Sequence, residues 1–257
     1  QTLLRLFEKI QFDENSPFEK NFVFSILIQT IPDDRSKDRE YGYTWMRLCM
    51  KLMGSNNEFA IPLFKILLLE VCNKYELSYD SNVQKIADSI AKDNIQAAWG
   101  VIKFLLENSD KKQSVGLLHW LKGWDSSFDE NIPCGVICYL PVDDIIAWIE
   151  DSPNDRSKLL ARAVKTSLDE GIQGALTKEL LVRYSKIKGV SSILSASFET
   201  GGWTGPTSSY LKRMRDKLRQ WLATASPIEI CEWIAREIEY YDRRIEIEEM
   251  QEERELY

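Results

Sequence analysis

Apolar residues recur along this chain every three to four positions, in blocks separated by short polar turns. That spacing is the pattern of helices that each bury one face. Leu3, Leu4, Leu6, Phe7 and Ile10 predict a short first helix. Residues 22–31 are apolar enough for a buried helix, stopped by Pro32. Residues 38–53 carry Tyr41, Trp45, Leu48 and Leu52 at helical spacing and end at Gly54. Residues 60–75 are apolar on more than one face, which predicts a helix held between neighbours on both sides. Residues 81–91 and 95–106 predict a hairpin, and 115–124 a short helix. The segment CGVICYL, 134–140, has the composition of a buried strand. A lone strand finds no partner in this sequence, so helix is expected there too. Further helices are predicted at 142–149, 156–168, 176–184, 190–198, about 208–222, and from Pro227 to near the C-terminus. In the last, Ile230, Ile234, Ile238, Tyr241 and Ile245 mark one face.

Three helix starts share one grammar: Ser16-Pro17-Phe18-Glu19, Ser152-Pro153-Asn154-Asp155 and Ser226-Pro227-Ile228-Glu229. Serine can cap, proline suits the first turn because its missing N–H costs nothing there, and the acid can close a capping box. Residues 146–153 also overlay on 219–227 with one residue of slip. Each is a helix end bearing a tryptophan, then a short turn, then Ser-Pro. Many short helices joined by short turns predict an all-α chain. Its expected form is an irregular α-solenoid of HEAT-like antiparallel pairs, with a compact helical bundle as the alternative. Residues 1–130 are read as N-terminal helical repeats, and 131–257 as C-terminal repeats continuous with them.

Composition and charge add to this picture. Twelve glycines and eight prolines in 257 residues are few for an all-β chain. Five cysteines without regular spacing, in mostly apolar contexts, predict reduced thiols and a cytoplasmic protein. No apolar run is long enough to span a bilayer. The net charge of −7 is concentrated at the end of the chain: residues 237–257 hold nine acids and three arginines, a net of −6. The chain begins at Gln1, so a processed product or a piece of a longer protein is expected.

The candidate chemistry centres on residues 195–221, SASFETGGWTGPTSSYLKRMRDKLRQW. A Gly-rich turn before a helix invites phosphate. It lacks the lysine of a P-loop and a preceding strand, so a structural joint with Trp203 as its packing pin is the expectation. Lys212, Arg213, Arg215, Lys217 and Arg219 give a basic helix that could contact phosphates or an acidic partner. The acidic helix that follows offers pairing or plain solvation instead. Trp203 with these five basic residues is the candidate contact face. His119, the one histidine, lies between Leu118 and Trp120 and reads as an ordinary helix position. Cys134 and Cys138 lack the second pair that structural zinc requires. Asp33-Asp34 and Asp143-Asp144 read as helix-end charges. No catalytic residue, metal ligand or cofactor is assigned.

Residues 140–148 (LPVDDIIAW), 156–161 (RSKLLA), 195–198 (SASF), 202–205 (GWTG), then Trp221, Pro227, Trp233 and the Glu/Arg-rich end together resemble a known region. It is the HEAT-like helical C-terminal region of large bacterial multidomain proteins, many linked to anti-phage defence and carrying a STAND-type NTPase-like or effector module upstream. The likeness spans about 140–255, and its motifs are packing motifs. It implies a non-enzymatic scaffold or sensing region for protein–protein recognition, with any catalytic module outside this chain and a protein or an upstream domain as partner. A nucleic-acid-binding module using residues 212–219 is the alternative; no membrane contact is expected.

Overall fold

A computed structural model describes residues 17–31, 39–55, 57–73, 81–123, 135–198 and 204–255. The predicted helix at 3–10, Trp203 with the glycines beside it, Pro32 and Cys134 lie outside these. Among the described residues the chain is all-α, with twelve α-helices, two short 3-10 segments and no strand. It divides into two compact units, residues 1–141 and 142–257.

The first unit contains α1 (Pro17–Gln29), α2 (Arg39–Ser55), α3 (Ala60–Asn73), α4 (Ser81–Asp93), α5 (Ile95–Asn108) and α6 (Lys111–Leu121). Helix α3 touches α4, α5 and α6, which is why it is apolar on several faces. Its Leu63, Phe64, Leu67 and Leu68 are fully buried. The Trp45 indole on α2 donates to the Leu27 carbonyl of α1 at 3.0 Å. Helix α6 begins earlier than its apolar period suggests. Asp110 and Gln113 form a capping box, each side chain bonding the other's backbone N–H. Residues 136–139 form a single 3-10 turn instead of the predicted helix. The reason is Gly135, whose φ of 90° ends any helical path and whose N–H donates to the buried Asp88 carboxylate at 3.3 Å.

The second unit contains α7 (Val142–Glu150), α8 (Pro153–Ala163), α9 (Ile172–Tyr184), α10 (Val190–Phe198), α11 (Thr207–Leu222) and α12 (Ile228–Glu255). Helix α9 is central, touching α7, α8, α10 and α12. At the α7–α8 corner Arg156 stacks on the Trp148 ring at 4.8 Å. Its guanidinium also donates to the Trp148 carbonyl at 2.6 Å and to Asp151 at 2.9 Å.

The Ser-Pro grammar holds only in part. Pro153 opens α8, but the Ser152 side chain makes no cap hydrogen bond. Ser226–Pro227 is a cis peptide, and α12 begins one residue later, at Ile228. The helix predicted at 156–168 stops at Ala163. Tertiary hydrogen bonds hold the next residues extended. Ser197 donates to the Val164 carbonyl at 2.8 Å, Thr166 to the Leu194 carbonyl at 2.7 Å, and the Lys165 N–H to the Gln173 side chain.

Candidate functional site

Five cations lie on α11 because they occupy its outer positions, while Leu211, Leu218 and Trp221 turn inward. Helix α12 runs antiparallel to α11 and brings its acids alongside. Lys212 meets Glu249 at 2.5 Å, and Arg215 meets Asp242 and its neighbour Asp216, both at 3.1 Å. Arg219 reaches Asp242 at 3.6 Å. Lys217 pairs instead with Asp169 at 3.1 Å, in the extended segment before α9, and lies over the Trp221 ring at 4.9 Å. Arg213 is exposed and makes no ion pair among the described residues. The structure therefore gathers the predicted basic face as one stripe and turns most of its charge onto the chain's own carboxylates. These exposed pairs are worth little in stability, but they occupy the donors that a phosphate would use.

Two carboxylates frame α11. At its first turn Glu252 accepts from the Ser208 N–H at 3.0 Å and from the Ser208 hydroxyl at 2.6 Å. An acid there complements the positive end of the helix, which has no side-chain cap of its own. Those Ser208 bonds hold the Glu252 carboxyl below its ordinary range. At the last turn the Trp221 indole donates to Asp169 at 2.7 Å. Burial pushes the Asp169 carboxyl up, but the Trp221 and Lys217 hydrogen bonds, the Lys217 charge and the Ser167 hydroxyl outweigh it, and the net shift is downward.

Trp203, the expected packing pin, lies outside the described residues. The ring that knits this region is Phe198, at the end of α10. Its centroid is 5.4 Å from Trp221, 6.1 Å from Tyr241 and 6.4 Å from Trp233, the last two edge-on. Edge-on aromatic contacts add about 0.5–1.5 kcal/mol each beyond their buried area. Phe198 sits one helical turn after Leu194, at the end of the α10 stripe. Val190, Leu194 and Phe198 are buried at i,i+4 spacing on one face of α10, and that spacing does not tell Phe198 apart as the meeting point of three helices.

A second feature carries no motif in the sequence. Between the 185–189 turn, α10 and α12 runs an open groove of about 560 Å³. Gly189, Ser191, Ser192, Ser195 and Ala196 give it a floor of small side chains. The φ of 99° at Gly189 swings the chain from α9 into α10. The other wall comes from α12: Trp233, Arg236, Glu237 and Tyr240, with the spacing i, i+3, i+4, i+7. The Ser195 hydroxyl donates to Glu237 at 2.6 Å and accepts from the Trp233 indole at 3.2 Å, which fixes α10 against α12. A carboxylate is a weak base for a serine, so this pair orients the hydroxyl without activating it. His119, the chain's one imidazole, is an exposed position of α6.

Among the described residues no cluster of three or more His, Cys, Asp or Glu is arranged to hold a metal ion. Cys49, Cys72 and Cys231 are free thiols, and burial pushes the Cys49 thiol well up. None of the described helices is long and apolar enough to cross a membrane. Comparison with protein-family models, with curated proteins and with solved structures finds no match for this chain.

Proposed function

We propose that this chain is a non-catalytic helical scaffold that recognises a protein partner through the groove between α10 and α12. In this reading its helices form an irregular HEAT-like array of antiparallel pairs, acting in the cytoplasm as part of a larger bacterial defence protein. The array is supported by the succession α7–α8, α9–α10 and α11–α12, and by the central position of α9. The defence setting is supported by the sequence resemblance over 140–255.

The groove is the observation that carries recognition. Its small-residue floor lets a partner's backbone approach closely. Arg236 and Tyr240 on its wall are exposed, and arginine and tyrosine are among the side chains that most often anchor protein interfaces. The pairing of Lys212, Arg215, Lys217 and Arg219 within the chain favours this reading over nucleic-acid binding by 212–219. A photo-crosslinking residue at Ser192, in the full-length protein in its own cells, is expected to trap one discrete protein. Ala196→Arg, which fills the floor, should abolish that adduct. No discrete adduct, together with salt-sensitive nucleic-acid retention lost on Arg213→Glu, Arg215→Glu and Arg219→Glu, would move the function to the alternative.

A further inference from the structure

The cations of the second unit divide by what holds them. On α11, Lys212, Arg215, Lys217 and Arg219 are engaged by the chain's own carboxylates. Lys188 and Arg236, which line the groove, are exposed and make no ion pair among the described residues. A third cation reaches the same place from α8, which packs on α10. Lys158 Cε lies 3.9 Å from where a Cβ on Gly189 would stand. It too makes no ion pair among the described residues. The Arg236 Nε donates to the Glu232 carbonyl at 3.3 Å, and the rest of that guanidinium bonds to no described residue.

Against these three cations the groove lining sets one acid, Glu237, whose carboxylate accepts from Ser195 at 2.6 Å. Glu229 and Glu232 precede Trp233 on α12 and do not line the groove. The floor offers no anion cradle of its own. The Ser191 hydroxyl donates to the Ser185 carbonyl at 3.3 Å and that of Ser192 to the Gly189 carbonyl at 3.1 Å. An anion in the groove is therefore held by long side chains at its rim, one cation each. That favours carboxylates at separate positions of a peptide over a nucleic-acid backbone. Evenly spaced phosphates would set a charge against Glu237, whereas a peptide can place a neutral residue there.

We infer that the groove receives a short acidic segment of a partner protein. Its carboxylates meet Lys158 and Lys188 at the Gly189 end and Arg236 on the α12 wall, with an uncharged residue beside Glu237. The inference rests on the protein-recognition reading of this groove and names the chemistry of its partner. Charges at a rim steer the encounter and select the partner more than they tighten it, so a complex that weakens with salt is expected.

The probe is a random heptapeptide library displayed on phage, selected on the wild-type chain and counter-selected on Ala196→Trp, which fills the floor without adding charge. Peptides that need the open groove should be enriched in Asp and Glu. Fluorescence anisotropy with a synthetic copy of the most enriched peptide then reads the cations one by one. Lys158→Glu/Lys188→Glu and Arg236→Glu should each weaken it about tenfold or more. Arg213→Glu, on the basic face of α11, should leave it unchanged. Peptides with lysine in place of the acids should bind the reversed variants again, which also shows those variants to be folded. Groove-dependent peptides without acidic enrichment overturn the inference and leave the groove reading standing. No groove-dependent peptide at all counts against both. An affinity indifferent to Lys188 and Arg236, or lost equally on Arg213→Glu, overturns the inference, since the acids would then be held elsewhere. A single-stranded oligonucleotide that displaces the peptide and binds the groove more tightly overturns it in favour of nucleic acid.

Discussion

The two sides of the α11–α12 pair make an instructive contrast. Inward, Leu211, Leu218 and Trp221 meet Ile230, Trp233, Tyr241 and Ile245 of α12, with Phe198 among the rings. Outward, the same two helices exchange lysines and arginines for acids across solvent. Both sides show short distances, but they differ in what water can replace. A lost ring leaves a void that water does not fill, whereas a lost surface charge is largely replaced by solvent and salt. The inner side therefore fixes the pair, and the outer side sets its alignment and its charge.

That contrast orders the expected effects. Phe198→Ala should be the most damaging, by about 3–5 kcal/mol, the usual range for a buried aromatic truncated to alanine. A denaturant melt of the second unit reads it, and a loss no larger than that of a surface charge would break the contrast. Trp221→Phe keeps a ring for Phe198 but removes the N–H donated to Asp169, so about 1 kcal/mol is expected. The tethers of Asp169 and Glu252 sharpen the comparison through pH. Both carboxyls titrate lower in the folded chain than in the unfolded one. Their contribution is therefore complete above the unfolded carboxylate pKa values of about 4 and is lost as pH falls through the still lower folded values. Asp169→Asn and Glu252→Gln should each lower the melting temperature at neutral pH. The difference from wild type should vanish in acid; a difference that persists there would point to packing instead. Smallest of all is Arg213→Glu, expected within about 0.5 kcal/mol of wild type, because the side chain is exposed and pairs with no described residue.

Helix positions were legible in the sequence because the 3.6-residue period is a property of single elements. The face predicted on α12 illustrates this: Ile230, Ile234, Tyr241 and Ile245 are buried, and Ile238 partly so. Boundaries set by tertiary contacts were not. Leu160, Val164 and Leu168 continue a helical period, yet the chain leaves the helix at Val164 because α9 and α10 take its backbone groups. Asp110-x-x-Gln113 spells a capping box one turn ahead of the apolar period, and α6 starts there. The basic stripe was legible as a stripe. Its partners were not, since Asp169 lies 48 residues before Lys217, and spacing says nothing about contacts at that range. The groove was invisible for the same reason: its floor and its wall come from helices that the sequence separates by about forty residues.

The Asp88–Gly135 contact has a mechanical consequence. It joins positions 47 residues apart, so α5 and α6 belong to an excursion of the chain drawn together at its neck. Closing a loop of that length carries an entropy cost of roughly 3 kcal/mol beyond a constant. A side chain at Gly135 would fall within 2.5 Å of the Leu121 carbonyl, at a backbone angle that L-residues seldom adopt. That one glycine therefore acts as the clasp of a cassette. With the clasp intact, a pull on either end of the excursion loads a hydrogen bond to a buried carboxylate. With it open, α5 and α6 would keep their packing on α3 and lose the bond at the neck.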